Sequence, residues 1–317
     1  MNEKSVSFIM PVYNTPLDFF SKSLDSLGLL AFKDLEFLII NDGSTKIDVS
    51  KIKKKYENDE RFLFIDKENT GVSNTRNLGI ELSKGKYLFF IDSDDELNTE
   101  EFIDIYKFVV ESNFDLICFN SKTIINSKIS KNFIFKKSSI LGGGVVWAKF
   151  FKREFILKNN LRFNPNLKYS EDSVFMSDFN KFFPKSINFE DLCIYYYRIS
   201  NDHTMTRYNI NAFDDFNKTF IELKKNMSIN ELTVIAFCQL YEYILKISFY
   251  NHKCKLENKK NKIIKTLNDE NYIYKELFEN LKNVKLSKYG NIQRLLFRMK
   301  FYKLMVILDN IKKYIKK

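Results

Sequence analysis

Glycine and proline are scarce in this 317-residue chain, at 9 and 4 residues. With no low-complexity linker, 44% hydrophobic and 29% charged residues, the composition is globular rather than disordered. No apolar run approaches the roughly 18 residues of a membrane-spanning helix. The start, MNEKSVSFIMPVYN, lacks the basic-then-apolar pattern of a signal peptide. The four cysteines (Cys118, Cys193, Cys238 and Cys254) are far apart and form no CxxC pair, which points to reduced structural thiols in a cytosolic protein. There are two histidines, His203 and His252, and one tryptophan, Trp147.

A net excess of either charge is absent from most of the chain as well. The net charge is +11, but residues from 251 onward hold 18 of the 51 basic and 6 of the 40 acidic groups. The first 250 residues are therefore close to neutral, which argues against a nucleic-acid groove in the main body.

What is present is alternation. Apolar runs at Val6–Pro11, Leu35–Ile40, Arg61–Asp66 and Tyr87–Ile91 read as strands. Helical stretches at Pro16–Leu29, Asp48–Tyr56 and Val72–Leu82 separate them. Such βαβ units predict an α/β fold with a mostly parallel sheet and flanking helices. Further along, Glu100–Glu111, Val145–Asn159 and Asp172–Phe182 read as helices, and Asp115–Asn120 and Leu192–Ile199 as strands. From about residue 211 the pattern is helical and increasingly basic. The expected domains are 1–210, with halves at about 1–98 and 99–210, and a helical region at 211–317.

Ligands collect at the carboxyl ends of parallel strands. Here those ends read PVYN, NDGS, DKENTG and DSDDE. The last is the densest: Asp92, Asp94, Asp95 and Glu96 crowd into five residues. They repel one another unless a cation sits among them. Asp92 and Asp94, two residues apart, suit a hard divalent ion such as Mg²⁺ or Mn²⁺ shared with a substrate phosphate. The alternative is that these acids merely favour the dipole of the helix beginning near Asn98. Asp42 is placed to accept hydrogen bonds from a base or ribose, and Gly43 permits its tight turn. Arg76 is placed either to bind a phosphate or to fix an acidic loop.

SFIMPVYN, LEFLIINDGST and NTGVSNTRNLGIELSKGKYLFFIDSDDEL resemble the N-terminal signature of family 2 glycosyltransferases with the GT-A fold. VWAKFFKREFILKNNLRFNPNLKYSEDSVF resembles the acceptor half of bacterial members of that family. The resemblance implies inverting transfer from a nucleotide sugar, most often UDP-linked, to a hydroxyl of a glycan or lipid-linked glycan in surface-polysaccharide synthesis. It implies that Pro11, Val12, Tyr13, Asn14 and Asp42 hold the nucleoside, with Arg76 and the Asp92-Ser93-Asp94 segment lining the same site. Asp92 would face the ribose or the metal, and Asp94 would ligate the metal. Asp95 would be a ligand or a group behind the ligands. Asp172 is the implied general base, beside Glu171, although a helix cap at Ser170 or Asp172 explains the same pattern. His203 is a possible third metal ligand or an ordinary loop residue.

Trp147 suits stacking on an acceptor sugar or anchoring the core. The processive-synthase pattern is missing, since Val145 and Val146 precede that tryptophan. The tail 281–317, with 11 basic residues and one acidic, suits an anionic membrane surface or a helical subdomain packed on the body or in a homo-oligomer. These features imply a cytoplasmic enzyme, peripheral on the inner membrane face if the tail binds lipid. A nucleotidyltransferase is disfavoured because PVYNTP lacks a glycine- and lysine-rich phosphate loop. A non-catalytic basic module is disfavoured by the intact DxD.

Overall fold

A computed structural model describes residues 4–134, 144–199, 212–229 and 276–277. The chain divides into two compact units, 1–201 and 202–317. His203, His252, Cys238, Cys254 and the basic tail lie outside the described residues.

In the first unit, apolar runs become strands and amphipathic stretches become helices. The order is β1 (Lys4–Val12), α1 (Leu17–Gly28), β2 (Leu35–Asp42), α2 (Val49–Lys53), a 3₁₀ turn (Lys54–Tyr56), β3 (Phe62–Lys67), α3 (Val72–Leu82) and β4 (Gly85–Phe90). Then come β5 (Glu96–Leu97), α4 (Thr99–Glu111), β6 (Leu116–Ile125), β7 (Lys128–Phe133), β8 (Lys149–Lys152), α5 (Arg153–Lys158), α6 (Glu171–Asn180) and β9 (Ser186–Ile199). The sheet order is β3-β2-β1-β4-β8-β6-β9-β5, with β7 paired to β6.

β1, β2, β3 and β4 are mutually parallel. Beyond β4 the sheet is mixed: β8 runs antiparallel to both β4 and β6, and β6 is parallel to β9. The expected mostly parallel sheet therefore holds for its first half. The expected helix over Val145–Asn159 is corrected: Lys149–Lys152 is a strand, and only Arg153–Lys158 is helical. An apolar run that short fits either period, and the slot between β4 and β6 takes it up as a strand.

Alternation along the strands builds two cores. Phe8, Phe37, Phe89 and Phe150 face α1 and α4, where Phe20, Leu24 and Phe102 meet them. Ile9, Leu38, Leu88 and Phe90 face the other way, against Ile80 of α3, Ile156 of α5 and Phe175 and Phe179 of α6. With both faces covered, the central strands read as unbroken apolar runs. Cys118 and Cys193 are buried free thiols. In the second unit, α7 (Ala212–Leu223) buries Phe216, Phe220 and Leu223. Among the described residues no helix is long and apolar enough to cross a membrane.

One contact fixes the helix that carries Arg76. A Cβ on Gly79 would lie 2.3 Å from Cγ2 of Ile9 in β1. Ile9 is fully buried and has no room to yield. Gly79→Ala is expected to destabilise the fold by roughly 1–3 kcal/mol through overpacking. A urea unfolding midpoint unchanged from wild type would show that α3 does not need this close approach.

Candidate active site

The carboxyl end of β4 meets the start of α6, and one guanidinium joins them. Arg76 of α3 is buried. Its Nη2 donates to Oδ1 of Asp92 at 2.9 Å. Its Nη1 donates to Oε1 of Glu171 at 2.9 Å and to Oδ1 of Asp172 at 2.7 Å. Phe163 lies beneath, its ring centroid 5.3 Å from the guanidinium carbon. Burial opposes the charge on Arg76, but Asp172, Asp92 and Glu171 outweigh it and keep the arginine cationic. Three carboxylates around one cation leave the cluster with excess negative charge. Burial first, then Glu171 and Asp92, push the Asp172 carboxyl up to about 7, against the pull of Arg76 and the Val146 N–H.

A second arginine holds the acidic loop from the other side. Arg198 of β9 is buried; its backbone N–H donates to Oδ1 of Asp95 at 2.7 Å and its Nε to the Asp94 carbonyl at 2.7 Å. Its Nη2 pairs with Glu96, and its guanidinium lies 4.6 Å from the Phe19 ring centroid. Tyr195 Oη donates to Oδ2 of Asp95 at 2.6 Å and accepts from the Asp92 N–H at 3.2 Å. Burial, then Asp94 and Asp92, raise Asp95 well above the usual carboxylate range. The loop therefore alternates like a strand. Ser93 and Asp95 turn inward, while Asp92, Asp94 and Glu96 remain partly open. Ser93 Oγ lies 2.6 Å from Oγ1 of Thr15, tying this loop to the one after β1.

The proposed nucleoside side is knitted together in the same way. Asn14, at φ 53°, accepts from the N–H groups of Thr45 and Lys46 at 2.8 and 2.7 Å. Asp42 accepts from the N–H groups of Thr70 and Gly71, each at 2.9 Å, and pairs with Lys67. Burial acts against it, but these bonds, Lys67 foremost, hold its carboxyl below the usual range. Gly71, at φ 91°, opens α3 at this point. Val12 is buried, Pro11 is partly buried, and Tyr13, 54% exposed, offers a large ring to solvent beside Asn14.

Among the described residues no group of three or more His, Cys, Asp or Glu side chains is placed to hold a metal ion. The donor chemistry nevertheless fits a hard cation that draws its other ligands from water and a diphosphate, since Asp92 and Asp94 present partly open carboxylates. Asp95 does not fit, because both of its oxygens are engaged inward. Ser170 stands at the N-cap of α6 without a side-chain cap bond, and Glu171 and Asp172 fill the first turn, as the helix-cap alternative also expects. Trp147 is buried and stacks on Tyr195 and Tyr197, with ring centroids at 5.1 and 5.6 Å, so it is a core anchor.

Sequence reasoning missed Arg198, Tyr195 and Lys149. Lys149 is fully buried in β8, and its Nζ donates to the Val145 carbonyl at 2.9 Å, one residue before the amide that faces Asp172. The signal for Arg198 was a lone cation in the aromatic strand YYYRI, at an inward position by alternation.

With this geometry in place, comparison with known proteins is decisive. Residues 7–176 match Glycosyl transferase family 2. The chain belongs to that family. It is 36% identical over 114 residues to glycosyltransferase GlyA of Streptococcus pneumoniae, a match covering 36% of this chain and 16% of GlyA. It is 28% identical over 271 residues to the poly(ribitol-phosphate) beta-N-acetylglucosaminyltransferase TarP of Staphylococcus aureus, covering 80% of this chain and 76% of TarP. The fold matches S. aureus TarS 1–349 crystallised with UDP-GlcNAc, at TM-score 0.64 and 20% identity over 96% of this chain and 88% of TarS 1–349. It also matches a Pyrobaculum calidifontis mannosyltransferase crystallised with GDP-Man and Mn²⁺, at TM-score 0.56 and 11% identity over 96% of this chain and 86% of that one. The GT-A-like fold expected from the resemblance is thus the fold observed.

Removing the shared cation strands three acids. Arg76→Met is expected to cost about 3–5 kcal/mol, the usual result of leaving buried charge unpaired. The Asp172 carboxyl, already raised, would lose the lowering pull of Arg76 and lie still further above its unfolded value. The folded state binds more protons, so the variant regains stability as pH falls from 7 toward 4. Urea titrations at several pH values check this; a loss of stability independent of pH contradicts it.

Proposed function

We propose that this chain transfers a sugar from a UDP-sugar to a hydroxyl of a glycan or lipid-linked glycan, with inversion, in surface-polysaccharide synthesis. The observation that carries the reading is the Arg76 bridge. It puts Asp92, at the expected diphosphate side, and Asp172, at the expected acceptor side, on one guanidinium. Leaving group and incoming hydroxyl would thus meet across one small space. The names of TarP and of the TarS complex support a UDP-linked hexose or N-acetylhexosamine as donor.

Each residue then has a task. Tyr13 would cover the base, and Asn14 and Asp42 hold the loops that frame it. Asp92 and Asp94 would hold Mn²⁺ or Mg²⁺, which when bound stabilises charge on the leaving diphosphate as a Lewis acid. The Mn²⁺ complex of the structural neighbour supports that ion. His203, a proposed third ligand, lies outside the described residues. Asp172 would take the proton of the attacking hydroxyl. A carboxyl near pKa 7 is well matched to that work at neutral pH, because about half of it is ionised there and the ionised form is basic enough to accept a proton. Glu171 and Asp92 favour its protonated form once the hydroxyl proton arrives. In inverting displacement, base and leaving group lie on opposite faces of the anomeric carbon.

Asp94→Ala is expected to weaken UDP binding and remove metal-dependent hydrolysis of the donor. Asp172→Asn is expected to lower kcat by about 10²-fold or more while UDP binding is kept. In the wild type kcat should fall below pH 7, as Asp172 gains its proton, rather than near pH 4. Calorimetry with UDP and a pH–rate profile test this; Asp172→Asn acting at a normal rate would contradict it.

A further inference from the structure

The opposite edge of the sheet carries an unusual concentration of positive charge. There β1 and β4 begin, with Lys4 opposite Gly85, and β8 ends, with Lys152 opposite Tyr87. A groove of about 870 Å³ runs along this edge. Lys4, Lys84, Lys86, Lys152, Arg153 and Lys158 line it, against a single acid, Glu154. Glu154 pairs with Lys152 at 3.4 Å. Lys4 and Lys86 donate to backbone carbonyls, and Lys4 also lies within electrostatic reach of Asp34 and Asp59. Among the described residues the ammonium groups of Lys84 and Lys158 make no ion pair, and both residues are exposed, although the Lys84 N–H donates to Glu36.

A second feature sits on the same edge. The turn after α6 reads KFFPK, Lys181 to Lys185. Phe183 stands at φ 51° and is 92% exposed, with Phe182 41% exposed beside it. Asp115 joins this turn to the groove: its carbonyl accepts from the Lys152 N–H at 2.9 Å and its Oδ2 from the Lys185 N–H at 2.9 Å. Leu157, partly exposed, adds apolar surface to the groove wall. Cations flanking a bare aromatic tip match one environment in particular. At a lipid–water boundary, ammonium groups meet anionic headgroups while the ring enters the acyl margin. A soluble polyanion would engage the lysines and leave Phe183 in water.

We propose that this edge of the first unit is a contact face for an anionic lipid surface, with Phe183 as its apolar anchor and the six-cation groove as its electrostatic footprint. β1 spans nine residues from this edge to the loop holding Asn14, about 30 Å at the usual rise per strand residue. The Arg76 cluster would then open away from the lipid, toward an acceptor that extends from it. The proposal does not depend on which sugar is transferred, or on whether one is.

Flotation of the full chain with vesicles of equal parts phosphatidylglycerol and phosphatidylcholine tests the proposal. Wild-type protein is expected to bind these vesicles and not pure phosphatidylcholine, and to release in high salt. Lys84→Glu with Lys158→Glu should weaken binding roughly tenfold or more, and Phe183→Ser several-fold, with unchanged unfolding midpoints. Phe183→Trp should bind at least as well as wild type, which separates loss of the ring from damage to the turn. Wild-type binding by all of these variants would place the contact elsewhere in the chain and overturn the proposal. Displacement by inorganic polyphosphate with no effect of Phe183→Ser would also overturn it, in favour of a polyanion site.

Discussion

A single buried guanidinium shared among three carboxylates is the constraint on which the candidate active site depends. Arg76 reaches Asp92, 16 residues on in sequence, and Asp172, 96 residues on. Acids from two distant segments thereby settle beside one another despite their mutual repulsion. A lysine would not serve equally well, because one ammonium lacks the planar fork that lets Nη1 and Nη2 face two directions at once. The imbalance of charge matters as much as the contact. With one cation for three acids, one carboxyl keeps a proton affinity near neutrality, and that acid is Asp172.

The rest of the first unit serves this arrangement. Gly79 lets α3 settle onto β1, which sets the depth at which Arg76 emerges. Asp42 ties the β2 end to the opening of α3 through Thr70 and Gly71. Arg198 and Tyr195, from the edge of the mixed half, draw Asp95 inward and leave Asp92 and Asp94 turned outward. The acidic loop is held from two sides, and its alternation sorts its carboxylates into structural and open ones. The basic edge lies at the far end of the same strands, so the two charged regions of this unit are separated by the length of the sheet.

Much of this was legible in the sequence, for identifiable reasons. Fully buried parallel strands appear as unbroken apolar runs, so Val6–Pro11 and Leu35–Ile40 stood out, and α3 was bounded at Val72–Leu82 as observed. The acid density at Asp92–Glu96 announced that a cation was needed. Which cation answered was less legible, because the Arg198 guanidinium pairs with Glu96 across 102 residues of sequence. Local spacing carries no information about such a partner. Lys149–Lys152 was misread as helix because four residues between strands have no period of their own. Asp95 was left open between two roles, and its inward turn depends on Tyr195, a residue that reads as one aromatic among several.

The account stands or falls on whether Asp92 and Asp172 feel one another through the shared arginine. Carbon-detected NMR titration of the Asp172 carboxyl, in metal-free protein, measures this directly in wild type and in Asp92→Asn. Neutralising Asp92 removes a repelling charge and frees more of the Arg76 guanidinium for Asp172. The account predicts an Asp172 pKa near 7 in wild type and a clear fall in the variant. A pKa that is the same in both proteins, or that lies near the ordinary carboxylate value in wild type, would contradict it.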